Sequence, residues 1–237
     1  MGGEFSNVLV IDIGASHVKM CVRDAEPRRF RSKSQLTAHG LVDAVREATH
    51  DWRYDVISIG FPGIAAGGEP SAEPGNLGRG WVGYDFEAAF GKPVRLVNDA
   101  VLQALGAYDG GRMLFLGLGT GLGSALVTEH VVVPLELGNL PSPRGGTIFK
   151  RVGREALKAV GKARWNTDVR KIVGVLREAF MADYVVLGGG NAKHVDPLPP
   201  DARRGSNKDA FTGGFRLWDQ FVEPHDREPH RVWRVVR

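Results

Sequence analysis

The chain has 237 residues, 43% hydrophobic and 24% charged, a composition that suits one large domain or two small lobes with real cores. Its formal charge is +4 and its pI is near 9.3, but Lys and Arg are scattered without a basic-aromatic array, which argues against nucleic acid as a partner. No apolar run approaches the ~20 residues that span a bilayer, the opening MGGEFSN lacks a basic-then-apolar leader, and the single Cys21 excludes an intrachain disulfide, so the expected location is the reducing cytoplasm with no membrane partner.

Residues 8–22, VLVIDIGASHVKMCV, open the organised part of the chain. An apolar run delivers Asp12, Gly14 turns the backbone, and apolar residues resume around Lys19, which reads as strand, tight turn and strand. Gly14 lets the backbone approach a ligand, and the amides of such a turn can form an anion nest. Asp12 would anchor a metal or a water-bridged phosphate with Lys19 alongside; an Asp that merely satisfies its own turn amides is the plain alternative. At an offset of 105 residues, 113–127 (MLFLGLGTGLGSALV) repeats the pattern. Leu9, Gly14 and Val22 meet Leu114, Gly119 and Val127, while Asp12 meets Gly117 and Lys19 meets Ser124. Two copies, one charged and one glycine-rich, predict duplicated lobes facing each other across a cleft.

Residues 23–33 read as a turn and an extended segment, and 37–51 as a helix through Leu41, Val42, Val45 and Ala48. A short strand at 56–59 runs into Gly60, Phe61, Pro62 and Gly63, a turn where the backbone could approach a ligand. Residues 65–79 are dense in Gly and Pro and predict a long loop, with Asn76 and Trp81 near its end as sugar-site chemistry or as a surface loop over a partly buried Trp. A short helix at 84–90 and a strand at 94–97 lead to Asn98 and Asp99, followed by a helix over 100–108. Asp99 therefore stands at a strand-to-helix junction, where ligands bind in α/β sheets and where an Asp can also be a simple cap.

After the second hairpin, residues 131–134 lead to Glu136, Leu137, Gly138 and Asn139. Helices are expected over 147–160 and 167–180, with a basic turn around Lys162 and Arg164. A buried strand at 184–187 ends in Gly188, Gly189 and Gly190, and 206–221 predicts the last helix, interrupted by Gly213 and Gly214. The residues 222–237 form a charged, peripheral tail.

In this order the motifs resemble the ROK family of sugar kinases, most closely the polyphosphate/ATP-dependent glucokinases, over roughly residues 8–218. The resemblance implies an α/β, actin-like (ribonuclease H-like) two-lobed fold with an interlobe active-site cleft, residues 1–100 forming one lobe and 101–221 the other. It implies that Asp12, Gly14, Ser16 and Lys19 form the first phosphate motif, Gly119, Thr120 and Gly121 the second, and Gly188, Gly189 and Gly190 the nucleotide-base motif. It further implies that Gly63, Asn76, Asn98, Glu136 and Asn139 contact the sugar, that Asp99 is the catalytic base, and that Asp12 binds Mg²⁺, often through water. Two departures stand out: Asn139 replaces the family's usual His, and residues 140–146 (LPSPRGG) lack the cysteines of a structural zinc site. The absence of an N-terminal helix-turn-helix argues against the repressor branch.

Phosphoryl transfer is mostly positioning and charge neutralisation, which these residue types supply. The expected acceptor is glucose or a related hexose, the donor polyphosphate and/or ATP, and the assembly a homodimer. Competing readings are a kinase for an N-acetylhexosamine or mannose, kept open by Asn139, and a sugar-sensing protein that has lost efficient turnover. A basic groove at Lys150, Arg151, Arg154, Lys158, Lys162 and Arg164 would suit a polyphosphate chain, although solvated helix faces explain the same residues.

Overall fold

A computed structural model describes residues 7–129, 131–142, 145–206, 208–219 and 234–235. The first strand, β1 (Val8–Ile13), turns into β2 (His17–Cys21), and β3 (Arg28–Arg31) completes an antiparallel edge. Helix α1 (Ala38–Ala48) follows, its N-terminus capped by Thr37 Oγ1, which accepts from the Gly40 amide at 3.1 Å. Strand β4 (Val56–Phe61) lies parallel to β1. A small hairpin, β5 (Ala65–Ala66) and β6 (Glu69–Pro70), precedes α2 (Phe86–Phe90) and β7 (Val94–Asn98), giving a five-stranded sheet of order β3-β2-β1-β4-β7.

Helix α3 (Asp99–Ala107) starts without a connecting loop and leads to β8 (Met113–Leu118), β9 (Leu122–Thr128) and β10 (Val131–Leu135). Helices α4 (Ile148–Val152) and α5 (Arg154–Ala179) come next, then β11 (Tyr184–Gly188), β12 (Ala202–Arg204) and α6 (Asp209–Arg216). Strand β13 (Arg234–Val235) pairs with β10, and the second sheet has the order β12-β11-β8-β9-β10-β13. Apart from β13 this is the first order again, with β8, β9, β10, β11 and β12 in the places of β1, β2, β3, β4 and β7. The repeat seen in the two hairpins thus extends to whole sheets. Its register slips by one residue at the turn: Ile13 pairs with Val18 in the first copy, whereas Leu118 pairs with Leu122 in the second.

The hydrophobic residues divide into three cores by strand alternation. Leu9, Ile11 and Ile13 face outward to α1 and α2, while Val8 and Val10 face a central core with α3 and α6. In the second sheet Leu114, Leu116 and Leu118 face α5, and Met113 and Phe115 face the same central core. The α3–α6 layer is therefore shared between the sheets.

Three expectations are corrected. Residues 65–79 are not one loop, since β5 and β6 form inside them and Glu73 then gathers the following segment, its carboxylate accepting from the Gly80 and Trp81 amides at 3.1 and 3.3 Å. The expected helix at 147–160 breaks at Gly153, the C-cap of α4, whereas the expected break before Lys162 and Arg164 is present as a kink at Gly161 (φ 75°, ψ 164°) that divides α5 into two helical stretches. The last helix spans only Asp209–Arg216, and its two glycines sit within it. The tail at 222–237 lies outside the described residues except for β13.

Candidate active site

The site is assembled where each sheet hands the chain to a turn or helix. Asp12 lies near the end of β1, buried, with Lys19 Nζ donating to its Oδ2 at 3.4 Å from the facing residue of β2. Burial raises its carboxyl above the usual range, and the Lys19 charge only partly opposes this. Gly14 closes the turn through its amide to His17 O at 3.0 Å, and its carbonyl accepts from Ser32 Oγ at 2.7 Å. Ser16 is exposed, with its carbonyl bonded to the Ser32 amide at 3.1 Å.

Asp99 is the first residue of α3 and is half-buried. Its carboxyl is pushed up to about 7, first by burial, then by the charge of Asp12, with Glu136 adding to the effect while amides at the helix start oppose it. Asp12 of the first sheet and Glu136 beyond β10 of the second therefore both act on Asp99. A carboxylate at about 7 is poised to exchange a proton near neutrality.

Asn98 is the N-cap of α3, its Oδ1 accepting from the Ala100 amide at 2.8 Å and its Nδ2 donating to Gly63 O at 2.8 Å. The Pro-Gly turn and the strand-helix junction are thus joined through one side chain, which keeps one N–H and one lone pair for a ligand. Glu136 is exposed but sits against enough protein for partial burial to raise its carboxyl. The 3₁₀ turn Leu137–Asn139 follows, held by Ser124, whose Oγ donates to Leu135 O at 2.7 Å and accepts from the Leu137 amide at 3.1 Å. Asn139 is exposed at the end of that turn.

The turn at 119–121 joins β8 to β9. Asn191 Nδ2 donates to Gly119 O at 2.9 Å and so ties this turn to the end of the Gly188, Gly189, Gly190 run. Phe149, 44% exposed, covers the turn so closely that a Cβ on Gly121 would lie 1.8 Å from its ring. Asn76 is exposed on the segment after β6, with no hydrogen bond to the Asp99 region among the described residues. Trp81 is fully buried, 5.5 Å from the Phe61 ring centroid, with its indole N–H donated to Gly78 O at 2.8 Å. It is a core residue and not a sugar platform. Of the expected basic groove, Arg151 and Arg164 face the buried Asp168 at 3.9 and 4.0 Å, and Lys158 pairs with Glu155 at 2.9 Å.

No group of three or more His, Cys, Asp or Glu side chains placed to hold a metal occurs among the described residues. Asp12 fits Mg²⁺ in the other manner, since that ion keeps most of its waters and needs only one or two carboxylates besides phosphate oxygens. Among the described residues no helix is long and apolar enough to cross a membrane.

The chain is similar in sequence and in fold to known proteins. A polyphosphate glucokinase from Mycobacterium tuberculosis is 22% identical over 215 residues, covering 80% of each chain. An inorganic polyphosphate/ATP-glucomannokinase from Arthrobacter sp. strain KM superposes with a TM-score of 0.78 at 23% identity, over 90% of this chain and 98% of that one. The chain has the actin-like fold of the ROK sugar kinases. A ROK family glucokinase from Streptomyces griseus, solved with glucose and AMPPNP, matches with a TM-score of 0.69 at 16% identity, over 89% and 98% of the two chains. No family model matches the chain.

Within the ROK fold, Asp12, Asp99 and Glu136 converge, Gly63 joins Asn98, and the Gly119 turn joins the Gly188 run. Ser124 and Asn191 shape the site without having been expected to. For Asn191 a signal was present, an amide directly after three glycines; for Ser124 there was none, because nothing local marks a polar residue whose partners come from another element.

Proposed function

We propose that the chain is a hexose kinase that transfers a phosphoryl group from polyphosphate or ATP to the 6-hydroxyl of glucose. The observation that carries this reading is Asp99, held at the head of α3 with its carboxyl near 7 between the charges of Asp12 and Glu136. Asp99 accepts the proton of the attacking hydroxyl. Asn98, with its remaining donor and acceptor, together with Glu136, Asn139, Gly63 and Asn76, orients the ring hydroxyls. Lys19 and the remaining amides of the two turns, those of Ser16, Thr120 and Gly121, would meet the donor phosphates, and Asp12 would hold a Mg²⁺ ion whose charge would offset theirs. The lobes, 1–100 and 101–221, close over the substrates and exclude water, with the α3–α6 layer as their common support.

The named activities of the relatives support glucose as acceptor and polyphosphate or ATP as donor. Mannose is the second acceptor to test, because the glucomannokinase carries it in its name. With half of the α4–α5 basic cluster already paired inside the protein, a long polyanion would have to rely on Lys150, Arg154 and Lys162. The test is a coupled glucose 6-phosphate assay with Mg²⁺, run in parallel with ATP and long-chain polyphosphate. Turnover with either donor is expected. Silence with both, alongside calorimetric sugar binding, would turn the reading to a non-catalytic sugar sensor.

A further inference from the structure

The turn between β8 and β9 presents two adjacent amides that no described residue uses. The Gly119 amide is spent inside the turn, on Gly121 O at 3.1 Å. Gly119 O accepts from Asn191 Nδ2 at 2.9 Å and from the Arg154 amide at 3.1 Å, and Thr120 O accepts from the same Arg154 amide at 3.3 Å. A trans peptide places its N–H and C=O on opposite sides. Pinning both carbonyls toward Asn191 and Arg154 therefore aims the Thr120 and Gly121 N–H groups the other way. Neither amide has a hydrogen-bond partner among the described residues, and Thr120 is exposed. Successive free amides on one side of a turn form an anion-binding concavity.

We propose that Asn191 is a positioning residue for the phosphoryl donor, its carboxamide locking the Gly119–Thr120 peptide so that the Thr120 and Gly121 amides receive a donor phosphate oxygen. The inference rests on the kinase reading above and assigns a role that the Gly188, Gly189, Gly190 run does not explain. The mount behind the carboxamide is stiff. The Asn191 amide bonds Leu118 O at 2.9 Å, and the segment after it is stapled by buried Asn166, whose Nδ2 donates to His194 O at 2.8 Å and whose Oδ1 accepts from the Asp196 amide at 3.0 Å. Without the Asn191 carboxamide, only the Arg154 amide holds Gly119 O, and it is shared with Thr120 O. The peptide plane is then free to rotate and carry the Thr120 N–H out of line.

The test compares Asn191→Ala and the isosteric Asn191→Asp with the parent chain, varying ATP, long-chain polyphosphate and glucose separately. For both variants the donor KM rises about tenfold, the scale of one lost hydrogen bond that orders a site, while the glucose KM stays within about twofold. A variant that melts like the parent and keeps its donor KM overturns the proposal, and so does one that loses activity with both KM values unchanged. A readout independent of turnover is the ¹⁵N-labelled protein titrated with tripolyphosphate. The Thr120 and Gly121 amide resonances move in the parent and stay still in the Asn191 variants; equal movement in both overturns the proposal. If the parent shows no turnover with any donor, the kinase reading fails, and the titration still decides the role of Asn191.

Discussion

Burial and the charge of Asp12 lift the Asp99 carboxyl from its ordinary 3.8 to about 7, and this sets two pH dependences of opposite sense. As general base Asp99 must be deprotonated, so kcat/KM rises with pH through about 7; a flat profile between about pH 5.5 and 8 would falsify the assignment. Asp99→Asn binds sugar nearly normally and loses ~100-fold or more in turnover. Stability runs the other way. Between the unfolded and folded values the native state holds a proton that the unfolded chain has released, so stability declines as pH rises across that window and stays reduced above about 7. Asp99→Asn removes this effect and melts higher than the parent at pH 8, by roughly 2–4 °C for each kcal/mol relieved. The two melting curves converge below about pH 4, where both states are protonated. Equal melting temperatures at pH 8 would mean that the carboxylate is not strained by its site. Such a residue is an instance of function placed at the expense of stability.

The crossing of α3 and α6 is possible only because each helix presents a glycine to the other. A Cβ on Gly213 would lie 1.8 Å from Leu102 O, and one on Gly106 would lie 1.8 Å from Asp209 O. Gly213→Ala therefore forces the helices apart and costs about 1–3 kcal/mol or more, read as a lower urea midpoint at unchanged slope. A midpoint within error of the parent would show that the layer yields. At the donor turn the obstacle is a side chain instead of backbone. Gly121→Ala drives a Cβ into the Phe149 ring, and because that ring is 44% exposed it can be removed at modest cost. In a double-mutant cycle Phe149→Ala restores much of what Gly121→Ala loses, in both melting temperature and donor KM, whereas additive losses would place the strain elsewhere.

At the scale of the whole molecule, α6 is fastened to the first sheet by a buried relay. Ser58 Oγ donates to Gly214 O at 2.6 Å, Trp218 Nε1 donates to Ser58 Oγ at 2.9 Å, and the Arg95 guanidinium lies 4.2 Å over the Trp218 ring. Trp218→Phe keeps an aromatic ring and removes the N–H, for a loss of about 0.5–1.5 kcal/mol in denaturant unfolding. Trp218→Ala loses about 3–5 kcal/mol because the central core opens beside β4. A small effect from both would mean that α6 is held by its other contacts, among them the Arg216 guanidinium on the carbonyls of Gly106 and Tyr108 and Phe211 in the central core.

What could be read in the chain, and what could not, follows from the range of the interactions. Each hairpin is specified within fifteen residues, so Asp12, Gly14 and the Gly119–Gly121 turn were legible from apolar runs and small-residue breaks. The junction at Asn98 and Asp99 was legible for the same reason, as a strand meeting a helix. Trp81 misled because an aromatic beside a polar amide has the same local pattern in a sugar site and in a core; only Phe61 and Phe86 packed around it decide. The sequence by itself determined the duplicated hairpins, the strand-to-helix placement of Asp99 and the glycine turns, because periodicity and backbone freedom are local properties. Only the tertiary structure decided that Asn191 reaches back 72 residues to Gly119, that Asp12 on β1 and Glu136 after β10 raise the same carboxyl, and that Gly213 is a contact rather than a break. Those depend on which strands and helices the fold sets side by side, which no local pattern encodes.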